Sequence, residues 1–281
     1  MSEEELKSMR HSLAHIMAQA IQHLWPQAKF GVGPAIDNGF YYDIYLDNGT
    51  ISEADLPKIE EEMRKIVAAD YSFERRNVSV EEAIDWAISG DQSFKVELLN
   101  DLKRSGTTVA SELAGEKMGS VSDGDSKVET VSLYSQGDYT DLCRGGHVDS
   151  TGKVGAFKLT KTAGAYWRGN ENNPQMQRIY GVAFATQEEL DEYLNRLEIA
   201  KQRDHRKLGK ELDLYTTSPL VGIGLPLFTP RGTILRDIVA QYSNQLRQKF
   251  GFEKVWTPHI TKKDLYETSG HWAKFGEELD R

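Results

Sequence analysis

The sequence has a single cysteine, Cys143, among 281 residues, so no disulfide can form within the chain. Such usage fits a reducing cytosol, and a cytoplasmic location is the expectation. Long apolar runs are missing too. None approaches the roughly 20 residues a membrane-spanning helix needs, so no membrane partner is expected. The opening ten residues are acidic and amphipathic and lack the apolar segment of a secretory signal. Positive charge is in short supply: 34 Lys and Arg face 43 Asp and Glu, for a net charge of −9. That balance argues against general coating of nucleic acid, which relies on neutralising phosphates. There is no internal repeat and no low-complexity tract. What remains is an ordinary globular composition, 39% hydrophobic and 27% charged, with enough apolar material for a sizeable core and two domains.

Ser2-x-x-Glu5 reads as a capping box, and apolar residues recur with helical spacing at Leu6, Met9, Leu13, Ile16, Met17, Ala20 and Leu24 before Trp25-Pro26 ends the helix. Two hairpin signals, Asp37-Asn38-Gly39 and Asp47-Asn48-Gly49, flank the β-rich run 40–46. Amphipathic helices are expected over about 54–69 and from the capping box Ser79-x-x-Glu82 to Gly90. From about 107 to 185 strands and glycine turns dominate, 178–184 most clearly, with a polar exposed loop over 115–127. Helices first and strands afterwards indicate an α+β domain with helices packed on an antiparallel sheet. Thr186-x-x-Glu189 opens a long linker helix expected to reach about Leu208. Its basic tract, Arg196, Lys201, Arg203, Arg206, Lys207 and Lys210, outnumbers Glu198 and Asp204. Thr229-Pro230 then starts a helix over 231–250, and a strand over 252–257 runs into Pro258. One helix and one strand cannot bury their own faces, so this last part reads as incomplete. The expected division is 1–185, a linker over 186–210, and 211–281.

Two pairs of side chains carry chemistry. His11 and His15 lie one turn apart on the first helix, on the side opposite its apolar stripe, so by themselves they read equally as a functional pair or as a solvated face with two incidental histidines. Cys143 and His147 have the same spacing in the glycine-bearing turn Asp141-Leu142-Cys143-Arg144-Gly145-Gly146-His147. A lone cysteine is more often a small buried apolar residue. Two such pairs could close a tetrahedral zinc site. They could equally line a metal-free hydrolytic cleft in which imidazoles handle protons. Spacing alone admits both.

The runs His11-Ser12-Leu13-Ala14-His15 and Gly33-Pro34-Ala35-Ile36-Asp37-Asn38-Gly39-Phe40-Tyr41-Tyr42-Asp43, together with the 141–147 turn, resemble the editing domain of the threonyl-tRNA synthetases. So do 161–169, 177–181 and the linker 201–214, in order along essentially the whole chain. The resemblance implies hydrolysis of serine wrongly attached to threonine tRNA. Serine lacks one methyl of threonine, worth about 1–3 kcal/mol in a binding pocket, so a second sieve is required. It also carries site residues: His11, His15, Cys143 and His147, with Lys95 and Asp141 as helpers. His11 would position or deprotonate water, Lys95 would stabilise charge on the ester oxygen or terminal ribose, Asp141 would hold the substrate amine, and Cys143 and His147 would shape the serine pocket. By residue type alone Lys95 reads as an exposed lysine at a helix start.

The related alanyl-tRNA synthetase editing domains hold zinc with the same double pair, whereas threonyl-type sites are described without metal; no cofactor is expected for editing, with zinc as the open alternative. The 211–281 part resembles the start of a class II catalytic domain. Residues 231–258 look like motif 1, which builds the family's homodimer interface and places Pro258 there. The motifs for ATP and the catalytic zinc lie further downstream in the family, so the expectation is a synthetase truncated at both ends that edits without aminoacylating. Gly146 stands where proline is common, which suggests a looser turn. Two other readings are a free-standing zinc-dependent deacylase of alanyl type and a non-enzymatic tRNA-binding fragment using the basic tract.

Overall fold

The computed structural model describes residues 1–105, 128–222, 224–259 and 261–274. The loop expected over 115–127 lies outside the described residues. The chain divides into two compact units, Met1–Leu197 and Glu198–Arg281.

The first unit is α+β. Helix α1 (Glu3–Leu24) starts at the capping box, with Ser2 accepting from the Glu5 amide and the Glu5 carboxylate accepting from the Ser2 amide. Strands β1 (Lys29–Phe30), β2 (Ala35–Ile36) and β3 (Gly39–Tyr45) follow. The Asp37-Asn38 turn closes the β2–β3 hairpin, with Asn38 at φ 61°. The second hairpin signal does not make one. Both edges of β3 are occupied, by β1 and β2 on one side and by β8 (Gln175–Phe184) on the other, so the chain after Gly49 turns into a short 3-10 segment and α2 (Leu56–Ala69). Strand β7 (Ala156–Tyr166) completes this antiparallel sheet in the order β1-β3-β8-β7, with β2 on β3.

A second sheet, β4-β5-β6 (Glu74–Ser79, Thr130–Gln136, Tyr139–Leu142), is also antiparallel. It packs with α3 (Val80–Ser89), capped by Ser79 as expected, and with α4 (Ser93–Ser105) through Val78, Ala83, Ala87, Leu99, Leu102 and Leu133. The main core lies between α1, α2 and the larger sheet; Leu13, Ile16, Met17, Ile59, Met63, Phe40 and Ile44 are fully buried there. Each such side chain stabilises the fold by about 1.5–3 kcal/mol. Buried Glu60 ties α2 to β7 by accepting from the Leu159 amide at 2.9 Å and from Lys158 Nζ at 3.0 Å.

The helix expected to run unbroken from 186 to 208 is two helices, α5 (Gln187–Gln202) and α6 (His205–Glu211). Asp204 leaves helical geometry at ψ 126° and its carboxylate caps the Arg206 amide, so a side-chain bond competes with the backbone ladder and starts a new helix. In the second unit β9 (Tyr215–Thr216) pairs with β10 (Leu227–Phe228), and α7 (Pro230–Lys249) begins at Thr229-Pro230 as expected. No strand forms over 252–257, because no ladder partner is present among the described residues; α8 (Lys263–Thr268) follows. No helix among the described residues is long and apolar enough to cross a membrane.

Candidate functional site

His11 and His15 project from α1 as expected, but not onto a solvated face. From Ser12 to Ile21 every residue of α1 is buried, and His15 is 2% exposed. The reason is cover on both sides: α2 and the larger sheet take the apolar stripe, while β6 and the turn after it meet the histidine side. That turn is shaped by Gly145 at φ 110° and Gly146 at φ 82°, and a Cβ on Gly145 would collide with the Tyr134 hydroxyl. It brings Cys143 Sγ to 3.0 Å from His11 Nε2 and 3.3 Å from His147 Nε2, while the Gly145 amide donates to the sulfur at 3.3 Å. The four donor atoms of His11, His15, Cys143 and His147 lie within 4.8 Å of one another.

Asp141 and Tyr139 share the inward face of β6 by strand alternation, and Asp141 is the hinge to the second half of the site. Its Oδ1 accepts from Lys95 Nζ at 2.6 Å and from the Leu142 amide at 2.8 Å; Oδ2 accepts from the Tyr42 hydroxyl and lies 3.8 Å from His15 Nε2. Lys95 also donates to Tyr42 Oη at 3.1 Å. It is 3% exposed, so the exposed lysine read from residue type is corrected. Helix α4 is held on two sides, Phe94 and Leu98 against Trp167 and Met176, Leu99 and Leu102 against the small sheet, and Lys95 falls on the face between them. Arg168, at φ 57° in the tip between β7 and β8, pairs with Glu97 at 3.2 Å and Asp101 at 2.5 Å and fixes that helix further. A cavity of about 150 Å³ borders Lys95 and Asp141, with Phe30, Trp86, Gln92 and Tyr139 among its walls.

Burial sets the charge state. It holds the His15 imidazole far below its ordinary value, helped by His11 and the Lys95 cation, and does the same to His147 with help from His15 and His11. Burial also pushes the Cys143 thiol up to about 12, and raises the Tyr42 and Tyr139 hydroxyls with the Asp141 charge adding to it. At neutral pH His15 and His147 are therefore neutral and the Cys143 thiol keeps its proton, beside the buried Lys95–Asp141 ion pair. A protonated thiol is a poor nucleophile, so the arrangement suits proton transfer to and from water. By donor type and proximity the four N/S groups also fit a tetrahedral zinc.

All six site residues expected from the sequence thus lie in one cluster, linked through the Cys143 and His15–Asp141–Lys95 contacts. Tyr42, Ser12 and Phe73 were missed. Tyr42 was findable, since alternation through 40–46 puts it inward beside Phe40 and Ile44; the other two carry no signal in spacing. The basic tract is exposed throughout. Arg196 lies in the first unit on α5, and Lys201, Arg203, Arg206, Lys207 and Lys210 lie in the second. Arg206 is bound to Asp204 at 2.9 Å, and Lys201 and Lys207 approach Glu198 and Glu211 at 3.8 and 4.0 Å. Pro258 sits in exposed irregular chain.

Residues 131–180, which hold Asp141, Cys143 and His147, match the family described as the threonyl and alanyl tRNA synthetase second additional domain. The first unit therefore contains a domain of aminoacyl-tRNA synthetases. The chain is 47% identical over 276 residues to the threonine–tRNA ligase of Geobacillus sp. (strain WCH70), covering 98% of this chain and 39% of that protein. It is 48% identical over 279 residues to threonine–tRNA ligase 1 of Bacillus subtilis, covering 99% and 40%, and 46% identical over 272 residues to the Porphyromonas gingivalis enzyme, covering 96% and 38%. The chain is thus similar to threonine–tRNA ligases over nearly its whole length and spans about two fifths of the length of these relatives.

Proposed function

We propose that this chain hydrolyses the ester of serine mischarged on threonine tRNA. The observation that supports it is the clustering of three histidines and a protonated thiol with the buried Lys95–Asp141 pair. A water held by His11, which is half-buried on α1, loses a proton to that imidazole as it attacks the ester carbonyl. Lys95 stabilises the oxygen that gains charge. The carbon–oxygen bond to the ribose then breaks, and the ribose oxygen takes the proton back. Asp141 is the carboxylate for the substrate amine, which competes with Lys95 for Oδ1. Cys143 and His147 are assigned to the pocket that takes the serine side chain and excludes threonine's extra methyl. If zinc is held by His11, His15, Cys143 and His147, it would supply Lewis acidity; the steps above use only the protein's own groups.

The exposed cations Arg196, Lys201, Arg203, Arg206, Lys207 and Lys210 are the proposed contacts to tRNA phosphates, with strongly salt-dependent affinity. Pro258 and α7 are assigned to a homodimer contact. The exposed apolar face of α7, from Ile234 and Ile238 to Tyr242, supports that assignment. The test is to incubate the purified chain with seryl- and threonyl-tRNA of the threonine acceptor, with zinc content measured in parallel. Serine should be released and threonine retained, with no threonylation of free tRNA when ATP is added. Serine release no faster than the uncatalysed rate would overturn the proposal, and stoichiometric zinc lost with Cys143→Ala would favour a zinc deacylase instead.

A further inference from the structure

Ser12 follows His11 on α1 and is fully buried. Its hydroxyl makes three contacts: Ser8 O at 2.9 Å, the Val148 amide nitrogen at 3.0 Å and His147 Nδ1 at 3.2 Å. A hydroxyl has one proton and two acceptor positions. The Ser8 carbonyl has no proton to give, and two oxygens 2.9 Å apart with no hydrogen between them repel, so the hydroxyl proton points to Ser8. The Val148 N–H fills one acceptor position. The contact to His147 Nδ1 is then favourable only if that nitrogen carries the hydrogen and donates.

We infer that Ser12 is a positioning residue that locks His147 in the tautomer protonated on Nδ1 and so turns the Nε2 lone pair into the cleft. Stacking fixes the rest of the ring's freedom. The His147 plane is 1° from Phe73 at a centroid distance of 4.6 Å and 24° from His11 at 4.5 Å. Those stacks permit two ring orientations related by a half turn about the bond to Cβ, and only one of them places a nitrogen against Ser12. The choice propagates. With a lone pair on His147 Nε2 facing Cys143 at 3.3 Å, the thiol proton must occupy that contact. His11 Nε2, 3.0 Å from the same sulfur, must then bring its own hydrogen, which leaves the basic lone pair of His11 on Nδ1. The proposed water-activating atom is therefore His11 Nδ1. This last link rests on the hydrolytic reading; the Ser12–His147 assignment does not.

The test is nitrogen NMR on the intact chain with labelled histidine. In the unsubstituted protein at neutral pH, His147 should show a protonated Nδ1 and an unprotonated Nε2, and His11 the reverse. A protonated Nε2 on His147 overturns the inference outright, whatever the activity. In Ser12→Ala, His147 should become a mixture of tautomers, and kcat for seryl-tRNA hydrolysis should fall by about 10- to 100-fold with KM little changed. Ser12→Thr, which keeps the hydroxyl, should restore the single tautomer. An unaltered nitrogen pattern in folded Ser12→Ala overturns the inference, and if that variant does not fold the measurement on the unsubstituted chain decides. A chain that fails to hydrolyse seryl-tRNA but shows the expected His147 pattern would sink the function and leave the Ser12 assignment standing.

Discussion

Replacing Asp141 by asparagine removes the only carboxylate among the described residues within salt-bridge reach of Lys95, an ammonium that is 4% exposed as a side chain and sits 2.6 Å from Oδ1. What remains for that charge is the Tyr42 hydroxyl at 3.1 Å and the Tyr42 ring at 5.5 Å. Breaking a buried pair by removing one partner costs about 3–5 kcal/mol, because the desolvated charge is left uncompensated. For a unit of this size each kcal/mol moves the melting temperature by about 2–4 °C, so Asp141→Asn should lower it by about 6–20 °C. Lys95→Met should cost a similar amount, since it leaves the carboxylate buried. The pair Lys95→Met with Asp141→Asn removes both charges together and should be markedly more stable than the sum of the singles, with a coupling energy of at least about 2 kcal/mol. Urea unfolding of the four proteins, followed by far-ultraviolet circular dichroism, measures this. Strict additivity, or single variants within about 1 kcal/mol of the parent, would refute the claim that the pair acts as one buried unit. Deacylation should be lost in all three variants, so the stability cycle separates structural coupling from chemistry.

The turn before His147 gives a second prediction. Gly146 at φ 82° cannot be replaced by proline, whose ring fixes φ near −65°, so Gly146→Pro should abolish deacylation, while Gly146→Ala, whose Cβ meets nothing but whose backbone is strained at that φ, should cost about 1–2 kcal/mol in unfolding experiments. A fully active Gly146→Pro would show that the turn takes another path. His23 bridges Glu62 at 2.8 Å and Asp138 at 3.0 Å; burial lowers its basicity, but the bonds from Asp138 and Glu62 outweigh that and raise it above 6.5. The stabilisation it adds is full below the unfolded value and is lost as pH rises through the raised folded one. The stability gap between the parent and His23→Gln should therefore shrink from pH 6 to pH 9, and a gap independent of pH would count against the bridge. Finally, Arg168→Ala should weaken the hold on α4 and reduce hydrolysis through displacement of Lys95, seen as a fall in kcat; unchanged kcat would make the β7–β8 tip dispensable.

Much of the first unit was legible because its signals are local. Capping boxes at Ser2 and Ser79 and the Asn38 turn each define a boundary through neighbours a few residues away. Two of the failures have a non-local cause. Asp47-Asn48-Gly49 has hairpin chemistry but follows a strand with no free edge, and 252–257 has strand composition without a partner. The helix break at Asp204 is local, yet a carboxylate inside a charged helical run carries no mark that it will cap the next turn. The burial of the histidine face of α1 was not legible, because periodicity identifies an apolar side without saying what covers the polar one. Lys95 was better advertised than it looked: it shares the interval of Leu98, Leu99 and Leu102, and a lysine inside an apolar stripe marks a buried charge awaiting a partner. That the partner would be Asp141, 46 positions later in the chain, is information only the fold contains.

Cys143 has a consequence as an instrument. It is the chain's single thiol, and burial keeps it protonated up to about 12, whereas alkylating reagents react with the thiolate. In the closed cleft the reaction is therefore slow, and its rate follows how often the turn between β6 and His147 lifts away from α1. The protein thus carries its own reporter of breathing at the site, readable by mass at a single position without any added label, and a bound substrate analogue should silence it.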